Sequence, residues 1–235
     1  VRDRVKKVGL AEPAFTPDEE GVIGGGGLLG DRNAGGVRKF VRRTDDEVIE
    51  TYSRINDNLW KMLERGEVTK DRLKVLRFEQ FCEHYGFDLD GAMLADAYVG
   101  NLMKQTALLD GAEDVCRALY GKYKMYIITN GIEAVQTARF GGCAIKEYFE
   151  KCYISDAIGV AKPKKGFFDA VAADIPDFDK SQALVIGDSL TSDIKGGVEY
   201  GIDTCWLNPK GKEVPEGTDI TYIIGDIREL LNILE

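Results

Sequence analysis

From Leu108 onward, short apolar runs alternate with amphipathic stretches, and this alternation constrains the fold more than any other feature of the chain. The runs are YKMYIITNG (123–131), KEYFEKCYIS (146–155), ALVIGDS (183–189), IDTCWLN (202–208) and TYIIGD (221–226). Helical patterns fall between them, over 111–121, 132–140, AKPKKGFFDAVAAD (161–174) and 191–200, and IRELLNILE closes the chain. Strands that alternate with helices predict an α/β fold, a parallel sheet with helices on both faces. In such sheets the functional groups collect at the carboxyl ends of the strands, which is where Thr129, Lys162 and Asp188 fall.

Residues 45–106 have a different texture. TDDEVIETYSRINDNLWKMLERG opens with a capping signal from Thr44 to Glu47 and continues with Val48, Ile49, Tyr52, Ile55, Leu59 and Met62 at helical spacing, up to Gly66. TKDRLKVLRFEQFCEHYG repeats the pattern through Leu73, Leu76 and Phe81 and stops at Gly86. DLDGAMLADAYVGNLMKQT reads as a third helix, so this region is expected to be a small all-helical domain.

The first 44 residues match neither pattern. They hold nine Lys and Arg against six acids and are crowded with glycine, as in GGGGLLG (24–30). No GK[ST] follows that run and no strand is evident before it, so it does not read as a phosphate loop. The expectation is an atypical, glycine-rich segment over 1–44, ahead of a helical domain at 45–106 and an α/β core at 107–235.

Composition excludes several functions. The 235 residues are 44% hydrophobic, enough for one good core plus a small appended domain. The net charge of −9 repels phosphate backbones, so no nucleic-acid partner is expected. No apolar run approaches the roughly 20 residues that span a bilayer, and the basic start VRDRVKKVGL is not followed by the apolar segment of a signal peptide. Cys82, Cys116, Cys143, Cys152 and Cys205 form no CxxC pair and read as reduced, mostly buried thiols of a cytoplasmic protein. His84 is the sole histidine; it reads as a solvated helix residue, and its isolation argues against a Ser/His triad or a histidine-based zinc site.

Three stretches carry chemistry together: IITNG (127–131), GVAKP (159–163) and VIGDSLTSD (185–193). Singly, each has a plain structural use as a turn, a helix start or a cap. Occurring in this order at three expected strand ends, they fit phosphoryl transfer, which needs charge balanced on several oxygens. Thr129 offers a hydroxyl to one oxygen, the Asn130 backbone an N–H to another, and Gly131 completes the turn. Lys162 supplies a point charge. Asp188 is the hard oxygen ligand that Mg²⁺ prefers. Asp193, one turn into the next helix, is placed to reach the metal's water or Lys162, which makes Asp188 and Asp193 the candidate metal residues. Gly187 is expected to leave room for phosphate and metal.

IITNG, AKP and GDSLTSDI resemble motifs II, III and IV of the haloacid dehalogenase (HAD) superfamily, and the helical region lies where the C1 class carries its cap. The longer run GDSLTSDIKGGVEYGIDTCWLNP, with TYSRINDNLWKMLERGEVTKDRLKVLRF, is similar to the YjjG-type pyrimidine 5′-nucleotidase branch. The resemblance covers residues 45–235. It implies a Mg²⁺-dependent phosphatase for a small phosphorylated metabolite, foremost a nucleoside 5′-monophosphate with pyrimidine preference, working through an aspartyl-phosphate as a monomer or homodimer. It also implies that the cap governs substrate choice, so a sugar phosphate is the alternative substrate.

The same resemblance exposes a gap. Members of the superfamily attack with an aspartate from a DxDx[TV] motif at the end of the first strand, and no such motif is present. Asp18 in FTPDEEG, with Glu20 two residues on, is the nearest candidate, while Asp45 opens a helix. The nucleophile is therefore unassigned. Either residues 1–44 are a misread segment that replaces the true first strand, or the protein is a catalytically dead relative. A receiver-like regulatory domain also uses Asp, Thr and Lys at strand ends. Such domains are shorter, have no helical insert, and place their acid pair before the Thr and Lys rather than after them.

Overall fold

A computed structural model of the chain describes residues 7–11 and 45–234, with side-chain detail from residue 47 onward except at Glu64. The chain divides into two compact units, Val1–Thr16 with Thr106–Glu235, and Pro17–Gln105.

The first unit is a six-stranded parallel sheet. Its strands are β1 (Lys7–Ala11), β2 (Lys124–Thr129), β3 (Phe149–Ile154), β4 (Ala183–Gly187), β5 (Asp203–Leu207) and β6 (Tyr222–Ile224), in the order β3-β2-β1-β4-β5-β6. The helices between them are α4 (Ala112–Leu119), α5 (Glu133–Gly142), the single turn α6 (Ser155–Ile158), α7 (Lys165–Asp174), α8 (Lys195–Tyr200) and α9 (Leu230–Leu234). The α/β expectation is met. Alternate strand residues supply two cores: Met125, Ile127, Leu184 and Ile186 join one with α4 and α9, while Tyr126, Ile128, Ala183 and Val185 join the other with Phe167, Phe168 and Val171 of α7. A period-2 strand buried on both faces has to read as a continuous apolar run, which is why IITNG and ALVIG stood out.

The expectation that residues 1–44 lack a strand is corrected. Lys7–Ala11 (KVGLA) is a central strand, pairing Leu10 with both Ile127 of β2 and Ile186 of β4, and Ala11 with Gly187. Five residues with a glycine in the middle carry little β propensity of their own. Two flanking ladders, not local preference, make this segment a strand. The chain runs from β1 to β2 and β3 on one side and then crosses to β4 on the other, so a topological switch point falls between the carboxyl ends of β1 and β4. GGGGLLG, Thr44, Asp18 and Glu20 lie outside the described residues.

The second unit has α1 (Asp45–Glu64), α2 (Lys70–Tyr85) and α3 (Gly91–Leu102). Thr69 caps α2 by accepting from the Arg72 N–H at 3.3 Å, and Gly86 ends it at φ 68°, a left-handed conformation that costs a glycine little. Asp90 caps α3 through the Ala92 N–H at 2.8 Å. Tyr52, Phe78, Cys82, Leu94, Ala95 and Tyr98 form its apolar core. Asp45 is the first residue of α1, as expected. His84 is exposed on α2.

Candidate active site

β2 and β4 flank β1, and the site is built at their carboxyl ends. Thr129 ends β2, and its Oγ1 accepts the Gly131 N–H at 2.9 Å, folding the TNG turn back on itself while leaving the hydroxyl proton uncommitted by that bond. Asn130 reaches across the turn. Its Nδ2 donates to the Lys162 carbonyl and its Oδ1 accepts from the Lys162 N–H, both at 2.9 Å. This two-bond clamp holds the main chain of Lys162 against β2, a job for the Asn130 side chain that spacing alone did not indicate.

Lys162 Nζ then donates to the Ile128 carbonyl and to Asp193 Oδ1, each at 2.7 Å. The two side chains are 3% and 4% exposed, so this is an enclosed ion pair. Asp193 is engaged on both oxygens, because Oδ2 accepts the Ser189 N–H at 3.2 Å. Of the two partners expected for Asp193, the metal's water or Lys162, the geometry commits its carboxylate to the lysine.

The room expected beside Gly187 is occupied. A Cβ at Gly187 would stand 2.5 Å from Asp193 Cβ and 2.6 Å from its Cγ. The missing side chain at this position lets the aspartate lie against the strand end. The helix expected over 191–200 begins instead as a widened π-type turn, Leu190–Ile194, in which both the Asp193 and Ile194 N–H groups donate to the Ser189 carbonyl. A π turn offsets the side-chain register, and here it brings Asp193 back under the strand.

Thr129, Lys162 and Asp193 are buried, Asn130 and Gly131 half-buried, and Asp188 is exposed. The site thus has a buried, charge-paired floor and an exposed carboxylate at the end of β4. A hard oxygen donor in that position suits a Mg²⁺ ion in chemistry, and Asp188 is the described residue that fits one. No cluster of three or more metal-ligating side chains occurs among the described residues. Burial pushes the thiols of Cys116 and Cys205 up to about 12, which leaves neither as a thiolate nucleophile near neutral pH. Sequence reasoning missed Trp206, whose indole N–H donates to the Asp188 carbonyl at 3.0 Å; only the β4–β5 register, Gly187 opposite Trp206, reveals it.

The family model for haloacid dehalogenase-like hydrolases matches residues 34–201. The chain belongs to that family. Its relatives include the HAD-hydrolase YfnB of Bacillus subtilis, 40% identical over 184 residues, 78% of either protein. Two pyrimidine 5′-nucleotidases are also similar. PynA of Streptococcus pneumoniae is 37% identical over 78% of each chain, and YjjG of Escherichia coli is 34% identical over 80% of this chain and 83% of its own. Among solved structures, YfnB bound to magnesium superposes with a TM-score of 0.85 at 31% identity, covering 99% of both chains. No described helix is long and apolar enough to cross a membrane.

Proposed function

We propose that this hydrolase is a Mg²⁺-dependent phosphomonoesterase that removes the phosphate of nucleoside 5′-monophosphates, pyrimidine nucleotides foremost. The observation that carries the reading is the enclosed Lys162–Asp193 pair, with Thr129 at the end of β2 and the exposed carboxylate of Asp188 at the end of β4. An ammonium has three N–H donors and two are spent on Ile128 and Asp193, so the third is left for a phosphate oxygen. Thr129 supplies a hydroxyl and the TNG turn a backbone N–H. These donors face charge that spreads over the phosphoryl oxygens as the P–O bond breaks, and their positions are set before substrate arrives. Mg²⁺, held by Asp188, supplies further charge neutralisation when bound. The two nucleotidase relatives support the substrate class, and the magnesium in YfnB supports the metal. Five cysteines, none of them in a disulfide, suit a reducing cytoplasm.

An aspartyl-phosphate route needs an in-line carboxylate where β1 ends. β1 reads KVGLA and offers none; the first acid after it is Glu12 and the first aspartate Asp18, both outside the described residues. That sequence favours a second reading, a relative that binds phosphate without turning it over. Phosphate release from uridine monophosphate, from a sugar phosphate and from p-nitrophenyl phosphate, with and without Mg²⁺, tests both. Slow, Mg²⁺-dependent release that Asp188→Asn and Lys162→Ala abolish supports the phosphatase. Lys162-dependent vanadate binding with no release from any substrate supports the second reading. Of Glu12→Gln and Asp18→Asn, the one that stops residual turnover identifies the attacking group.

A further inference from the structure

The peptide unit that joins Asp188 to Ser189 is bonded at both ends by side chains, one from the turn that follows and one from the neighbouring strand. Its C=O accepts the Trp206 indole N–H at 3.0 Å, and its N–H donates to Asp193 Oδ2 at 3.2 Å. Trp206 is 1% exposed and lies on β5, directly opposite Gly187 in the ladder. Its neighbour in the same strand, Cys205, is packed into the apolar core, so the ring has little freedom to follow a moving loop. From Ser189 onward the turn is held by its own bonds, Ser189 Oγ accepting the Ser192 N–H at 3.2 Å and the Ser189 carbonyl accepting the Asp193 N–H at 3.0 Å.

A peptide plane fixed at its oxygen and at its hydrogen cannot rotate, and rotation of that plane is the ψ angle of Asp188. With the preceding strand fixing the residue from the other side, the direction of the Asp188 Cα–Cβ bond is set by the fold. Only side-chain torsions remain for its carboxylate. We infer that Trp206 is a positioning residue for the Asp188 carboxylate, preparing it to hold a divalent cation. This rests on the proposed metal role of Asp188. A buried indole N–H needs a partner in any case, and here that partner is the first carbonyl beyond the strand, on an exposed acid of the site.

The direct test removes the donor and keeps the shape. Benzothienylalanine at position 206 replaces the indole N–H by sulfur, and Trp206→Phe is the genetically simple companion. Mg²⁺ affinity is read by isothermal titration, with the melting temperature of the metal-free protein and metal-free vanadate binding as parallel measurements. Loss of a residue that orients a metal ligand costs about 10–100-fold in affinity, so the Mg²⁺ dissociation constant should rise about tenfold in both variants. Vanadate binding should hold at the parental level, because Lys162 and Asp193 are untouched. A ring that serves packing alone gives a different pattern: the benzothienyl protein melts with the parent and binds Mg²⁺ as tightly, which overturns the inference. Asp188→Asn in the same titration separates the two claims. If it loses Mg²⁺ while the benzothienyl protein keeps it, only the role of Trp206 falls; if it binds as the parent does, the metal assignment and the inference resting on it both fall.

Discussion

Both units bury a cation, and they treat it in opposite ways. In the sheet unit, Lys162 meets Asp193 at 2.7 Å with an added bond to a backbone carbonyl. In the helical unit, Arg77 on α2 is 4% exposed, and among the described residues it makes one hydrogen bond, to Asn56 Oδ1 at 3.3 Å. Its Nε has no hydrogen-bond partner among the described residues, and its guanidinium carbon lies 4.5 Å from the Tyr98 ring centroid and 5.2 Å from that of Phe78. One charge is balanced by a charge, the other mainly by aromatic faces. A buried ion pair is costly to break but adds little net stability, so its retention at the strand ends points to chemistry. The arginine shows that burial of a charge is not by itself the mark of a site.

The largest expected effect breaks the paired case. Asp193→Ala leaves the Lys162 ammonium buried without its counter-charge and should cost about 3–5 kcal/mol, measured by urea unfolding of the sheet unit, with loss of vanadate binding. A cost below about 1 kcal/mol would show that water reaches the pair and that its enclosure is only apparent.

Gly187→Ala attacks the same pair from the strand side. The new methyl would overlap Asp193, and overpacking of a tight contact typically costs about 1–3 kcal/mol. Vanadate affinity should fall with stability, because Asp193 must shift away from Lys162. An alanine variant with parental stability and parental binding would mean that the glycine is incidental.

Arg77→Met tests the unpaired case and should be nearly silent, within about 1 kcal/mol of the parent in either direction. A cation–π contact is worth about 0.5–2 kcal/mol, and the relief of burying an uncompensated charge offsets it. A loss as large as that of Asp193→Ala would erase the distinction between the units.

The smallest effect concerns an exposed pair. Hydrogen bonds from the Arg228 side chain, then from its backbone, hold the Asp226 carboxyl down to about 2. An unfolded aspartate titrates near about 3.9, so the folded value is the lower one. The contribution is therefore present above about pH 4 and lost as pH falls toward 2. The melting gap between the parent and Asp226→Asn should close over that window, and it should be small at every pH because water screens the pair. A gap that persists unchanged at pH 2 would assign it to capping geometry rather than to charge.

The strands β2 and β4 were legible because burial on both faces forces an unbroken apolar run, and the helices of 45–102 because one buried face leaves a 3.6-residue period. β1 was not legible. KVGLA has neither length nor strong propensity, and it becomes a strand only because β2 and β4 each offer it a ladder. Among the site residues, Thr129 and Asp188 could be placed at strand ends from sequence, whereas Lys162, expected at one, lies in the loop after the turn Ser155–Ile158 that follows β3. The roles of Asn130, Gly187 and Trp206 could not, since each acts on a residue reached through the fold: Asn130 on Lys162, Gly187 on Asp193, Trp206 on Asp188.

The sequence alone determined the α/β class, the helical insert, the family and the set of groups suited to a phosphate, because periodicity, residue chemistry and motif order are local properties of the chain. The tertiary structure decided which groups are spent on one another. It brought Asp193 to Lys162, and it left Asp188 exposed at the end of β4. The physical reason is that a buried charge must find its counter-charge in space, and the distance from Lys162 to Asp193 is a product of strand register and a π turn that no spacing along the chain records.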